Sequence, residues 1–251
     1  MVAKTDSHKV TAGKMPIMSH LFEMRNRLIK SVIAIAIGTA IGFIFGPQII
    51  EILKAPAGNI DLQAIELVEN LSVYFKVALA TGIIIAMPFL VYQLFAFVSP
   101  ALTSKEKWYI YRILPFITVM FLAGVAFAYF IALPPALHFL TTFMSNVAEP
   151  QIRVSDYINV VTKMLLAVGL VFETPVIIMF LARMGIVSPQ WLARRRKLWV
   201  VLAFVLAAII TPTIDPINQT IIALPLIILL ELSIWLAKLV YKKKLEPSPA
   251  V

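Results

Sequence analysis

Cysteine is absent from this 251-residue chain, which rules out disulfides and thiol chemistry. Histidine is nearly absent: His8, His20 and His138 are scattered, no His-Glu-x-x-His or Gly-x-Ser-x-Gly occurs, and no nucleophile or metal set can be assembled. The residues therefore point to no enzyme, no metal and no cofactor. Charge is scarce as well. Only 14% of residues are charged against 61% hydrophobic, and the mean hydropathy of +0.91 lies far outside the range of a water-soluble domain. The net charge of +9 comes with no nucleic-acid motif, so nucleic acid is not an expected partner.

What the chain has in abundance is apolar runs. They predict an all-α integral membrane protein of six transmembrane helices, at roughly 28–46, 71–98, 108–135, 158–182, 198–213 and 217–237, with short fifth and sixth helices. The run from Leu198 to Thr213 would rise only about 24 Å against a hydrocarbon thickness of roughly 30 Å. Residues 1–251 form one integral membrane domain, with 1–17 a disordered tail and 239–251 a basic one. No cleavage site follows the first span, which is expected to be retained.

Lysine and arginine alternate between the loops: 18 fall on one side of the membrane and two on the other. By the positive-inside rule both termini are cytoplasmic. Lys76 and Lys163 are expected about one turn inside the outer ends of their helices, within snorkelling reach of the interface. Arg194, Arg195, Arg196 and Lys197 are read as topology anchors at a lipid surface.

Glu173, close to the middle of the fourth span, is the most anomalous residue, because an intramembrane carboxylate costs several kcal/mol unless protonated, paired or wetted. Two readings stand. It donates as a protonated acid to a neighbouring carbonyl or to the acceptor freed by Pro175, or it forms a polar site for a partner helix or substrate. Glu231 and Gln219 are the other polar groups at depth and could meet it or face a partner. At the cytoplasmic edge, Leu21, Met24 and Leu28 share a face of an amphipathic interfacial helix in which Glu23 and Arg27 are spaced i, i+4. Glu23 is either a surface salt bridge to Arg27 or a binding acid, and Glu106 fits a capping box beginning at Thr103. Together they are two carboxylates on a cationic face, suited to a ligand bearing two guanidiniums.

The stretch from His20 to Leu28 resembles the His-Leu-x-Glu-Leu-Arg-x-Arg-Leu opening of the TatC family, the polytopic subunit of the twin-arginine protein translocase. Tyr92-Gln93-Leu94-Phe95-Ala96-Phe97 with Pro100, Leu102 and Glu106, then Phe127–Phe130, Phe172–Pro175, Met184–Ser188, Thr211-Pro212, Asp215-Pro216 and Gln219 match further blocks over about residues 18–235. The resemblance implies a receptor for twin-arginine signal peptides in the cytoplasmic (inner) membrane. Glu23 and Glu106 would receive the arginine pair, and Arg25 and Phe97 would shape the site. It also implies an oligomeric assembly with TatA/TatB-type single-span subunits, in contact with membrane lipid, that exports folded cargo with the proton-motive force. Glu173 and Gln219 would face partner spans. Phe95 stands where the family commonly has Trp, Leu230 where it has Tyr, and Thr211–Asp215 is one residue longer than the usual Thr-Pro-Pro-Asp. Asp215 reads more simply as an N-cap before Pro216. The competing function is a proton- or ion-coupled secondary transporter using Glu173.

Overall fold

Apolar side chains without a soluble core to enter produce a bundle of long helices whose outer faces stay apolar. The computed structural model describes residues 17–58, 62–98, 104–142, 152–213 and 215–241. Helix α1 spans Ile17–Ile44, α2 Gly46–Lys54, α3 Glu69–Val98 and α4 Ser104–Phe127. A π-helical turn at Ala128–Ala132 carries α4 into α5, Leu133–Thr142. Then come α6 Val154–Phe172, α7 Thr174–Arg183, α8 Pro189–Arg194, α9 Arg196–Ile210 and α10 Pro216–Val240. Two-residue strands β1 (Leu62–Gln63) and β2 (Ile152–Arg153) pair in parallel.

Five segments among the described residues are long and apolar enough to cross a membrane: Leu21–Ile44, Glu69–Phe97, Leu114–Thr142, Val154–Arg183 and Pro216–Val240. Leu28, Ile37, Leu71, Val119, Ile209, Ile228 and many like them are exposed, as a lipid-facing surface requires. The fifth apolar run forms a short helix outside these five, α9, whose 15 residues rise about 22 Å. The sixth is not short. Asp215 caps it with its carboxylate, Pro216 occupies the first turn, Lys238 complements the last, and the 25 residues of α10 rise about 37 Å. The helix expected to lead into the first span is continuous with it, since α1 runs unbroken for 28 residues. Lys76 and Lys163 lie about two turns inside α3 and α6, deeper than the sequence suggested, because both helices begin earlier than the apolar runs.

The helices meet most closely where side chains are smallest. A Cβ on Gly38 would lie 2.7 Å from the Gly82 carbonyl oxygen, and one on Gly42 would lie 2.6 Å from that of Ala78. Gly38, Gly42, Ala78 and Gly82 thus form a seam along which α1 and α3 touch backbone to backbone.

One face of the bundle carries α2 and the starts of α3 and α6; we call it the far face. There Tyr74 donates to the Phe43 carbonyl (2.6 Å), Tyr129 to Ile52 (2.7 Å) and Tyr157 to Leu53 (2.7 Å), all in the last turns of α1 and α2. Pro56 lies in the tight turn Ala55–Ala57 that follows, where its fixed φ makes the turn rigid. Glu69, 3% exposed, accepts from the backbone N–H groups of Ile65 (2.8 Å), Glu66 (3.2 Å) and Ser155 (3.0 Å), so one carboxylate ties together the starts of α3 and α6. Arg153 bridges to Glu66 at 2.6 Å and reaches Glu69 at 3.7 Å. The sequence reading overlooked Glu69; its signal was an acid at the first residue of a helix.

Candidate functional site

The near face carries the start of α1 and the end of α3. One turn apart on α1, Glu23 and Arg27 form the expected i, i+4 pair: Arg27 Nε and Nη2 donate to the same Glu23 oxygen, Oε1, at 3.0 and 2.5 Å. Both side chains are about one-quarter exposed. The third arm of the guanidinium, Nη1, donates to Gln93 Oε1 on α3 at 3.2 Å. Gln93 is 6% exposed, and its amide locks the start of α1 to the end of α3. Gln93 was quoted in the sequence only as part of a matching block; a lone amide inside an apolar run was the available sign. The second oxygen of Glu23 makes no bond among the described residues.

Arg25 points its guanidinium over the Phe22 ring at 5.4 Å and is exposed. Phe97 is half-buried one turn beyond Gln93. Phe95, in the place of the family's Trp, is buried and packs on Phe180 of α7 with ring centroids 4.3 Å apart, so the apolar replacement serves the core. Glu106 lies on α4, but its side chain falls outside the described residues, as do Thr103 and hence the capping box. The tails 1–16 and 242–251 also lie outside them.

Glu173 divides the fourth long segment. Its backbone ends α6 and begins α7, its side chain is 1% exposed, and neither carboxylate oxygen has a hydrogen-bond partner. The expected donation to the acceptor freed by Pro175 is not made. That acceptor is the Val171 carbonyl, and the Thr174 hydroxyl takes it at 2.6 Å. Glu231 does not meet Glu173 either. It is half-exposed and forms a two-pronged pair with Arg196 at the start of α9, Nε to Oε1 at 2.7 Å and Nη2 to Oε2 at 2.9 Å. Gln219 spans the α9–α10 hairpin, its amide donating to the Phe204 carbonyl at 3.0 Å. Asp215 accepts from Asn218 N at 2.7 Å and Nδ2 at 2.9 Å, the N-cap expected of it despite the longer turn. Ser188 caps α8 in the same way through Trp191 N.

The family model for TatC, the Sec-independent protein translocase protein, matches residues 19–225. The chain belongs to the TatC family. The Sec-independent protein translocase protein TatC of Aquifex aeolicus is 41% identical over 238 residues, covering 92% of this chain and 98% of that protein. That of Carboxydothermus hydrogenoformans is 37% identical over 232 residues, covering 92% and 96%. Among solved structures, a crystal structure of the twin arginine translocase receptor TatC superimposes with a TM-score of 0.76 at 41% identity, over 88% of this chain and 99% of the other. As a TatC the chain is a multi-pass membrane component of a Sec-independent protein translocase.

Proposed function

We propose that this TatC is the signal-peptide receptor and core scaffold of its translocase, taking a twin-arginine signal at the near face on Glu23 and Glu106. The observation that carries the reading is the Glu23–Arg27 pair: the acceptor already holds a guanidinium in good geometry, one-quarter exposed, and has its second oxygen unbonded among the described residues. An arginine from a peptide can take that open oxygen or displace Arg27, which retains Gln93 as a partner. Lysine offers no planar fork and would exchange poorly. In this reading Arg25 and Phe97 shape the rim, the near face is cytoplasmic, α9 is a short fifth of six spans, both termini are cytoplasmic, and residues 1–251 form one membrane domain in the cytoplasmic membrane. The excess of lysine and arginine supports the orientation.

Glu173 and Gln219 serve TatA/TatB-type single-span partners in the same reading. A buried carboxylate with two unsatisfied oxygens favours any transmembrane partner bringing a donor. Energy comes from the proton-motive force, and family membership does not favour the rival transporter built on Glu173.

The test is binding of a fluorescent Arg-Arg peptide and its Lys-Lys counterpart to nanodisc-embedded protein. Wild type should prefer Arg-Arg, and the double variant Glu23→Lys, Glu106→Lys should lose that binding while remaining folded. Undiminished binding by the double variant removes the docking assignment.

A further inference from the structure

On the near face, away from Glu23, a concave pocket of about 460 Å³ opens between α8 and the end of α10. Pro189, Gln190, Ala193 and Arg194 line one wall, Lys238 and Tyr241 the other. The walls are held in place independently. Ser188 caps α8, Leu192 is buried against α10, and Arg183 of α7 donates to the Val240 carbonyl beside Tyr241 at 3.5 Å.

The cations around it are not equivalent. Arg195 is committed to the Trp191 ring at 5.1 Å and Arg196 to Glu231, whereas Arg194 and Lys238 line the pocket with no ion pair among the described residues. No acid lines it. Its depth in the bilayer is marked by indoles: Trp191 and Trp199 meet edge to face at 6.0 Å, and Trp235 is exposed one turn before Lys238. Indoles collect at the headgroup level of a bilayer. Leu239 is also exposed, so α10 presents apolar surface to acyl chains within a residue of the cation.

We infer that the cleft between α8 and the end of α10 is a binding site for the headgroup of an anionic phospholipid, with Arg194 and Lys238 holding the phosphate. Two cations from separate elements, an uncharged polar wall and an apolar flank match a phosphodiester carrying two acyl tails; a soluble anion would have no use for the flank. Gln190 and Tyr241 can bond to headgroup hydroxyls. The site stands apart from the peptide-docking residues and does not depend on them.

Native mass spectrometry of the detergent-solubilised full chain, titrated with phosphatidylglycerol, tests it. Wild type should retain one tightly bound phosphatidylglycerol and discriminate against phosphatidylcholine. Arg194→Gln with Lys238→Gln should weaken that binding by about thirtyfold. Ala193→Trp, which fills the cleft without altering charge, should weaken it too, while Arg195→Gln should not. Equal retention of phosphatidylcholine, unchanged binding in both pocket variants, or displacement of the lipid by millimolar inorganic phosphate would each overturn the assignment.

Discussion

Replacing Gly38 and Gly42 by alanine puts a methyl where α1 and α3 touch. The added carbons would meet the Gly82 and Ala78 carbonyl oxygens at 2.7 and 2.6 Å, and ordinary contact begins near 3.4 Å, so α1 must retreat by about 0.7 Å. The obstacle is backbone and cannot rotate aside. Overpacking of this kind costs about 1–3 kcal/mol per site. Alanine recovers about 1 kcal/mol in helix propensity, leaving a net loss of about 1 kcal/mol for each substitution. The double variant should therefore melt about 5 °C below wild type in nanodiscs, followed by intrinsic fluorescence. Ala36→Leu, on the exposed face of α1, should leave the melting temperature unchanged. The same retreat would stretch the 3.2 Å Arg27–Gln93 bond beyond hydrogen-bonding range, so affinity for the Arg-Arg peptide should change along with stability. A double alanine variant melting at or above wild type would refute the backbone-contact argument.

Three further substitutions address other parts of the structure. Asp215→Ala removes the acceptor for Asn218 N and Nδ2 and should cost about 1–2 kcal/mol in thermal unfolding, whereas Asp215→Asn should retain most of the stability. Glu69→Ala orphans three backbone donors at once; it should destabilise more than Glu66→Ala and should speed hydrogen exchange at Ile65 and Ser155. Arg196→Glu and Glu231→Arg should each lower the melting temperature alone and largely restore it together, and strict additivity would show that the pair does not couple α9 to α10.

Much of the architecture was legible because membrane insertion leaves its mark locally. Apolar run length marked the long helices, Asp215-Pro216 marked a helix start, and a fifth run too short to make a full-length span became the 15-residue α9. The ends were misjudged where charged residues continue a helix beyond its apolar part. Glu69 opens α3 and Lys238 lies within α10, and a reading based on hydropathy cuts both away. At the near face, spacing alone paired Glu23 with Arg27. It could not supply Gln93, 66 residues distant, because that contact exists only once the glycine seam has brought α1 against α3. That Glu231 meets Arg196 and not Glu173 was hidden for a similar reason. Depth along one helix says nothing about which side it turns, and α10 turns this acid toward Arg196.

The two faces of the bundle are fastened by different chemistry. On the far face tyrosine hydroxyls and Glu69 grip main-chain atoms, which most side-chain substitutions leave in place, with the Arg153–Glu66 pair beside them. On the near face two ties between helices run from side chain to side chain, Arg27 of α1 with Gln93 of α3 and Arg196 of α9 with Glu231 of α10, beside the Arg183 bond to the Val240 carbonyl. Such clasps can be undone by any competitor bearing the same functional group. One end is therefore closer to a rivet and the other to a latch, and any loosening of the bundle would begin at the latch and pivot on the rivet.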